Sequence, residues 1–348
     1  MTSMSFISVS GTHREAGRQV GEATAEVVRR WAEMPFDTAM VDRYRVATAA
    51  HLPWAVEELD GVAEGAGVDP LAVFAGAVAE LDMGCTDLVV MPEQTVAGHL
   101  LVAHNNDYLA ECEGEYVAIE WIVTGDPVCF TIGLGPWPAV GWNDAGLSVT
   151  ATNLEPADSR VGIPRVLQLR DVVRQRTFAD AVEAALHPAR ASSYNWVLAH
   201  GDGSAANIEG GARRAEITYL TDGALAHTNH YVHPALLALQ RDGSGLSGSK
   251  TRLRRAEDRL GRDAPFTPER LRGLLSDHAN APDSLCRHGN DHAVRTVFWC
   301  VADVTDGCVV YGSGPPCRSR SLTHDLHEPG RSAVVRALLT QPEPGGPL

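Results

Sequence analysis

The chain has 348 residues, 44% hydrophobic and 21% charged, with a formal net charge of −15, the composition of a globular protein long enough to bury a full core. The acidic balance argues against a nucleic-acid partner, whose phosphates must be met by clustered Lys and Arg, and no run approaches the ~20 apolar residues of a membrane span. The opening MTSMSFISVSGTHREAG has no basic leader followed by an apolar core, so a cytoplasmic location is expected by default.

The first 83 residues read as helical. Thr12 and Glu15 form a capping-box signature, and Ala16, Val20, Ala23, Val27 and Trp31 follow on one helical face. Asp69-Pro70 opens a later helix, an N-cap with proline at the first helical position, which carries Leu71, Phe74, Ala75 and Val78 and runs out near Asp82. From Cys85 the pattern changes to period two. TDLVVMP and HLLVAHN, joined by the turn-rich EQTVAG, read as a hairpin. YVAIEWIVTG, PVCFTIG, PAVGW and LSVTATNL follow as strands bounded by turn residues. VLQLRDVVRQ and AVEAALH read as helices, the second capped by Thr177 with Asp180 three residues on. Strands return in SYNWVLAHG, AANIEG, EITYLTD and LAHTNHY, then helices in SKTRLRRAEDRL and, after Thr267-Pro268, in ERLRGLLSDHA. RTVFWCVAD and CVVYG are the last strands, before a terminal helix and the tail PEPGGPL.

Runs of strands alternating with runs of helices predict an α+β layered fold of antiparallel sheets between helices, rather than a parallel βαβ sheet. No internal repeat or linker divides the chain, so residues 1–348 are expected to form one domain.

Seven cysteines without CxxC pairs point to free thiols. Cys129 and Cys300 sit in apolar strands and read as core residues. Cys85 differs: it stands at a helix-to-strand junction, between Gly84 and Thr86. Alone, that position reads more readily as a buried thiol. The segments that follow change the weighing. They are His104-Asn105-Asn106-Asp107, the run Gly141-Trp142-Asn143-Asp144-Ala145-Gly146-Leu147, Thr152-Asn153-Leu154, His227-Thr228-Asn229-His230 and Ser249-Lys250-Thr251-Arg252.

Together, in this order, GCT, NxD, GxNxxGL, TN, HTNH and SxxR resemble the acyl-coenzyme A:6-aminopenicillanic acid acyltransferase family, peptidase family C45 of the N-terminal-nucleophile (Ntn) hydrolases. The resemblance extends from GTHREAGRQVGEA to YGSGPPC. It implies an αββα sandwich, autocatalytic cleavage between Gly84 and Cys85 into segments 1–84 and 85–348 that stay associated, and a new N-terminal Cys85 as nucleophile. It further implies Asn229 as oxyanion donor, Asp107 as the group orienting the α-amine, Arg252 close to the nucleophile, and Asn153 lining the site from a facing strand. Such chemistry needs no cofactor: an α-amine of pKa ~7.7–8.0 serves as base for the thiol.

Plainer readings stand beside these. Asp107 could cap a turn, Asn229 could satisfy loop backbone, and Arg252, next to Arg254 and Arg255, could belong to a solvated basic face. His227, His230 and His233 make a poor zinc pattern, so no metal is expected. One departure from the family is Asp87, two residues past the nucleophile, where a small hydroxyl residue is usual. A carboxylate there would favour a protonated α-amine, alter precursor cleavage or bind a cationic substrate. Arg165, in GIPR at the opening of a helix, and Arg252 are the cations available to an anionic substrate.

The leading expectation is an enzyme that forms a Cys85 acyl-enzyme from a small-molecule amide or thioester, with hydrolysis favoured over N-acyl transfer. The rivals are a non-catalytic binding protein and a papain-like pair of Cys85 with His104 or His227.

Overall fold

The computed structural model describes residues 4–79, 84–241, 246–289 and 293–328. The leading segment begins with a strand, β1 (Ser5–Gly11), and then holds five helices. These are α1 (His13–Ala23), α2 (Ala25–Ala32), α3 (Thr38–Ala49), α4 (Pro53–Ala66) and α5 (Pro70–Val78). Next come β2 (Gly84–Val90), β3 (Leu101–Leu109), β4 (Tyr116–Val123), β5 (Cys129–Leu134), β6 (Trp137–Asn143) and β7 (Leu147–Asn153). After α6 (Arg165–Val173) and α7 (Phe178–Ala185) the chain forms β8 (Tyr194–His200), β9 (Ala205–Gly210), β10 (Ala215–Leu220) and β11 (Ala224–His227). It ends with α8 (Leu246–Arg262), α9 (Pro268–Leu275), β12 (Val294–Asp303), β13 (Cys308–Ser313) and β14 (Leu322–Asp325).

Two sheets form the centre. One has eight strands in the order β1-β4-β5-β6-β7-β8-β9-β10, the other six in the order β11-β2-β3-β12-β13-β14. All pairings are antiparallel except β1 with β4. α1, α6 and α7 pack on the larger sheet and α8 and α9 on the smaller, while β2 and β3 meet β7 across the sandwich. This is the expected αββα arrangement.

Strand alternation decides what each face carries. On β2, Val89 belongs to the core between the sheets, whereas Leu88 and Val90 pack with Leu253, Leu271 and Leu274 of α8 and α9. Cys85 and Asp87 therefore share the inter-sheet face with Val89. On β3, Val102 and Tyr108 face that same core and Leu101 and Ala103 face the helices, which puts Asp107 on the helix side.

The helical reading of the first 83 residues misses β1, whose partner β4 lies over a hundred residues on (Ser5 opposite Val117, Gly11 opposite Val123) and leaves no local signal. The continuous helix expected through Trp31 breaks at Thr24, whose hydroxyl donates to Val20 O at 2.7 Å and whose backbone leaves helical geometry (φ −112°, ψ 19°). β3 continues past Asp107 to Leu109, so the polar cluster lies inside a strand. β14 is four residues long, too short for its pattern to mark a strand. The expected end of α5 near Asp82 and the terminal helix and tail lie outside the described residues.

α1 and α4 approach unusually closely because both carry glycines four apart. A Cβ at Gly17 or Gly21 would overlap the Glu58 or Val62 carbonyl oxygen, and one at Gly61 or Gly65 the Arg14 or Arg18 carbonyl oxygen. The seam therefore tolerates no side chain on either helix. Gly61→Ala is expected to lower stability by about 2–3 kcal/mol, read as a lower urea midpoint at unchanged slope. An unchanged midpoint would mean that the helices can part without cost. Beneath the seam, Arg170 of α6 meets the Glu58 carboxylate with two bonds of 3.0 and 3.1 Å and lies over Trp121. Burial alone would raise the Glu58 carboxyl, but Arg170 and His13 outweigh it and hold the group below its ordinary value.

Candidate active site

Cys85 follows Gly84 at the head of β2 and is 3% exposed, with its Sγ 3.6 Å from Asn106 Oδ1. Asn106 is its cross-strand partner on β3. The Cys85 backbone N–H donates to Asn229 Oδ1 at 2.8 Å, and Arg252 Nη2 donates to the same oxygen at 2.6 Å. With both donors on its oxygen, the amide of Asn229 turns its nitrogen toward β7, where it donates to Asn153 O at 3.2 Å. That uses one of the two N–H hydrogens of the group.

Asn229 is itself held from behind. Its backbone N–H donates to Ser249 Oγ at 2.8 Å, and Ser249 Oγ also lies 2.7 Å from His230 Nδ1 and donates to Thr228 Oγ1 at 3.0 Å. Thr228 closes the ring by donating to Ser249 O at 3.0 Å. The HTNH and SxxR segments thus form one hydrogen-bonded unit between the end of β11 and the first turns of α8.

Asp107 stands opposite Gly84 in the β2–β3 register. Its Oδ1 accepts from Thr296 Oγ1 at 2.7 Å, while Oδ2, 4.0 Å from Arg287 Nη1, has no hydrogen-bond partner among the described residues. A Cβ at Gly84 would lie 3.5 Å both from this Oδ2 and from Arg287 Nη1. Burial pushes the Asp107 carboxyl up, and the Arg252 and Arg287 guanidiniums pull against it. Burial likewise draws Arg252 below its ordinary value while Asp107 supports its charge.

Arg252 is 3% exposed, unlike Arg254 on the outer face of α8, so the solvated-face reading does not describe it. Arg165 is also interior, at 2% exposure: it donates to Leu154 O at 2.9 Å and lies over the Tyr194 ring. Neither arginine is presented to solvent for an anionic substrate. Asn153, on β7 of the opposite sheet, meets Asn229 through its carbonyl oxygen. Asp87 is fully buried, and its carboxylate lies 2.7 Å from His104 Nδ1 inside the sandwich.

His227 has both ring nitrogens engaged, at 2.8 Å from Thr152 Oγ1 and 2.8 Å from Glu209 Oε1. That commitment removes it both as a base for Cys85 and as one of three histidine ligands. Glu209 also accepts from the backbone of Val232 and His233 at 2.9 and 2.7 Å, which locks the loop after Asn229. Cys129 and Cys300 are core residues as expected, and burial pushes the Cys129 thiol up to about 12.

Asn106, Thr296, Arg287 and Ser249 were not singled out from the sequence. Ser249 and Asn106 lie within the SxxR and NxD motifs and could have been found there. Arg287 and Thr296 reach Asp107 from β12 and the loop before it, and carry no local signal.

His230 has a consequence for acid stability. Burial, with His227 and Lys250 nearby, holds its imidazole down at about 4. The unfolded value is near 6.5, so folding favours the neutral ring. This contribution is fully present above about pH 6.5 and is lost as pH falls toward 4, up to about 3 kcal/mol in all. Thermal melts from pH 7 to pH 4 should show wild type losing stability faster than His230→Asn. Parallel curves would contradict the shift.

No helix among the described residues is long and apolar enough to cross a membrane. The two layered sheets between helices, with a glycine–cysteine step opening an inner strand, define the Ntn-hydrolase fold. The R18L variant of conjugated bile acid hydrolase from Clostridium perfringens shares that fold at 14% identity, over 70% of this chain and 94% of the other, with a TM-score of 0.51. Penicillin V acylase from Agrobacterium tumefaciens is more distant, at 13% identity, 70% and 87% coverage and a TM-score of 0.47. No curated protein matches the sequence. The model of the acyl-coenzyme A:6-aminopenicillanic acid acyl-transferase family matches residues 96–316, and the chain belongs to that family.

Proposed function

We propose that this protein is an autoprocessing cysteine amidohydrolase or acyltransferase that acts on a small-molecule amide or thioester through a Cys85 acyl-enzyme. The observation that carries the reading is the placement of the Gly84–Cys85 step. The Cys85 N–H bonds to Asn229 Oδ1, and an unpartnered Asp107 oxygen lies beside Gly84.

Attack of Cys85 Sγ on the Gly84 carbonyl carbon breaks the Gly84–Cys85 amide, forms a thioester and frees the Cys85 α-amine. Water then resolves the thioester to a Gly84 carboxylate and a free thiol. Asp107 Oδ2 would gain in the α-amine the donor it lacks, and the α-amine would take the thiol proton in each turnover. A buried carboxylate oxygen without a hydrogen bond is costly, so the new ammonium would favour the cleaved state. Asn229 Nδ2 supplies the second hydrogen to the oxyanion, its orientation set by Arg252 and Asn153.

After cleavage the two segments are expected to remain together. β1 is a strand of the larger sheet, and the helices behind it bury Val20, Val28, Leu59, Val62 and Phe74. Water is always at hand as acceptor, which favours hydrolysis over transfer. A reducing compartment such as the cytoplasm suits seven free thiols.

Intact mass spectrometry tests this directly. Protein purified from cells should yield chains 1–84 and 85–348, and a brief incubation with an activated acyl ester should add the acyl mass to the larger chain. Full-length protein only, unacylated by any amide, thioester or ester tried, would overturn the proposal in favour of a binding protein.

A further inference from the structure

Around Arg287, four side chains outside the nucleophile site converge: His278, Cys286, His288 and Cys317. Their donor atoms all lie within 4.8 Å of one another. Cys286 Sγ and Cys317 Sγ are 3.7 Å apart, and His288 Nε2 lies 3.4 Å from the first and 3.3 Å from the second. His278 Nε2 lies 3.0 Å from His288 Nε2.

A single imidazole nitrogen carries one proton or one lone pair, so His288 Nε2 cannot hydrogen-bond to two thiols and a second imidazole at once. A cation between them accounts for all four. Tetrahedral zinc, with Zn–S about 2.3 Å and Zn–N about 2.0–2.1 Å, sets its ligands about 3.8 Å apart for two sulfurs, about 3.3–3.4 Å for two nitrogens and about 3.5 Å for a mixed pair. The distances here follow that order. Two thiolates and two imidazoles are also the donor set of structural zinc, and four protein ligands leave no position open for catalysis.

We propose that His278, Cys286, His288 and Cys317 bind one structural Zn2+, with release of the two thiol protons. The spacing of these ligands, C-x-H flanked by distant partners, matches no short zinc motif, and the expectation of no metal rests on His227, His230 and His233, none of which belongs to this cluster.

The ligand loops are already anchored. The Cys286 N–H donates to Asp277 O at 2.9 Å, and Arg272 of α9 holds the segment around Cys317 through Pro316 O at 2.9 Å and Ser319 O at 2.8 Å. Cys286 and His288 also bracket Arg287, whose N–H donates to the same Thr296 hydroxyl that bonds Asp107, at 3.0 Å. The metal would therefore tie two surface loops together and steady the guanidinium that faces Asp107, without touching substrate.

Metal content is the test. Protein purified without a metal-affinity step, under reducing conditions, should carry about one zinc per chain by plasma mass spectrometry. Cobalt exchanged into it should show thiolate charge-transfer bands and the visible spectrum of a tetrahedral ion. Cys317→Ser, at an exposed position, should lose most of the zinc while keeping its far-UV circular dichroism, and chelation of wild type should lower Tm. Wild-type protein that stays metal-free after reconstitution with zinc chloride under reducing conditions would overturn the proposal. So would zinc retained in full by a Cys286→Ser/Cys317→Ser variant, or a Cys286–Cys317 disulfide in protein purified anaerobically. None of these readouts depends on Cys85 being active.

Discussion

Replacing Cys85 by alanine is expected to leave a single uncut chain and no turnover. Both events require a nucleophilic sulfur at the head of β2, and no other thiol is placed to substitute. Cys112, Cys129 and Cys300 are each 3% exposed or less and belong to the hydrophobic core, Cys129 against Val173 of α6. Cys308 opens β13, three strands along the smaller sheet from β2, and Cys286 and Cys317 converge with His278 and His288. Cys85→Ser should still cleave, but slowly, because a hydroxyl is the weaker nucleophile. The measurement is the intact mass at successive times after purification. Cleavage at Gly84–Cys85 in the alanine variant would assign the cut to a contaminating protease and remove the main support for autoprocessing. The substitution removes a single sulfur atom, so its packing cost is small, and the uncut variant should fold.

Asn229→Ala should lower kcat by about 10²–10³-fold on protein whose processing has been verified. An oxyanion donor acts mainly in the transition state, so kcat and kcat/KM should fall together. The substitution also strips Arg252 of the acceptor 2.6 Å away, so it needs a partner variant. Asn229→Asp keeps an oxygen for Arg252 but removes the Nδ2 donor. If donation to the oxyanion is what matters, both variants lose activity although only alanine disturbs Arg252. Recovery of activity in the aspartate variant would make Asn229 a scaffold for Arg252 instead. Asp107→Asn bears on a different step: it weakens the partner of the α-amine, so both maturation and turnover should slow.

The strand and helix periods already contain most of the layer order, because alternation and helical spacing are local properties of a few neighbouring residues. The hairpin of β2 and β3, the Thr177 and Thr267 caps and the core roles of Cys129 and Cys300 all follow from it. The candidate nucleophile stands where a helical segment meets a glycine and a strand, but only the motifs that follow it set it apart from a buried thiol. The order of the motifs, read through family resemblance, named Asn229, Arg252 and Asp107. What depended on partners distant in the chain could not be read. β1 is a strand only because β4 receives it, and the close α1–α4 seam exists only because four glycines from two helices face one another. That Asp87 meets His104 inside the sandwich, and that Arg165 lies between Leu154 and Tyr194, likewise depends on strand and layer pairing. The burial of a charge and the convergence of His278, Cys286, His288 and Cys317 are settled by which surfaces meet in three dimensions. Nothing in their spacing along the chain records that.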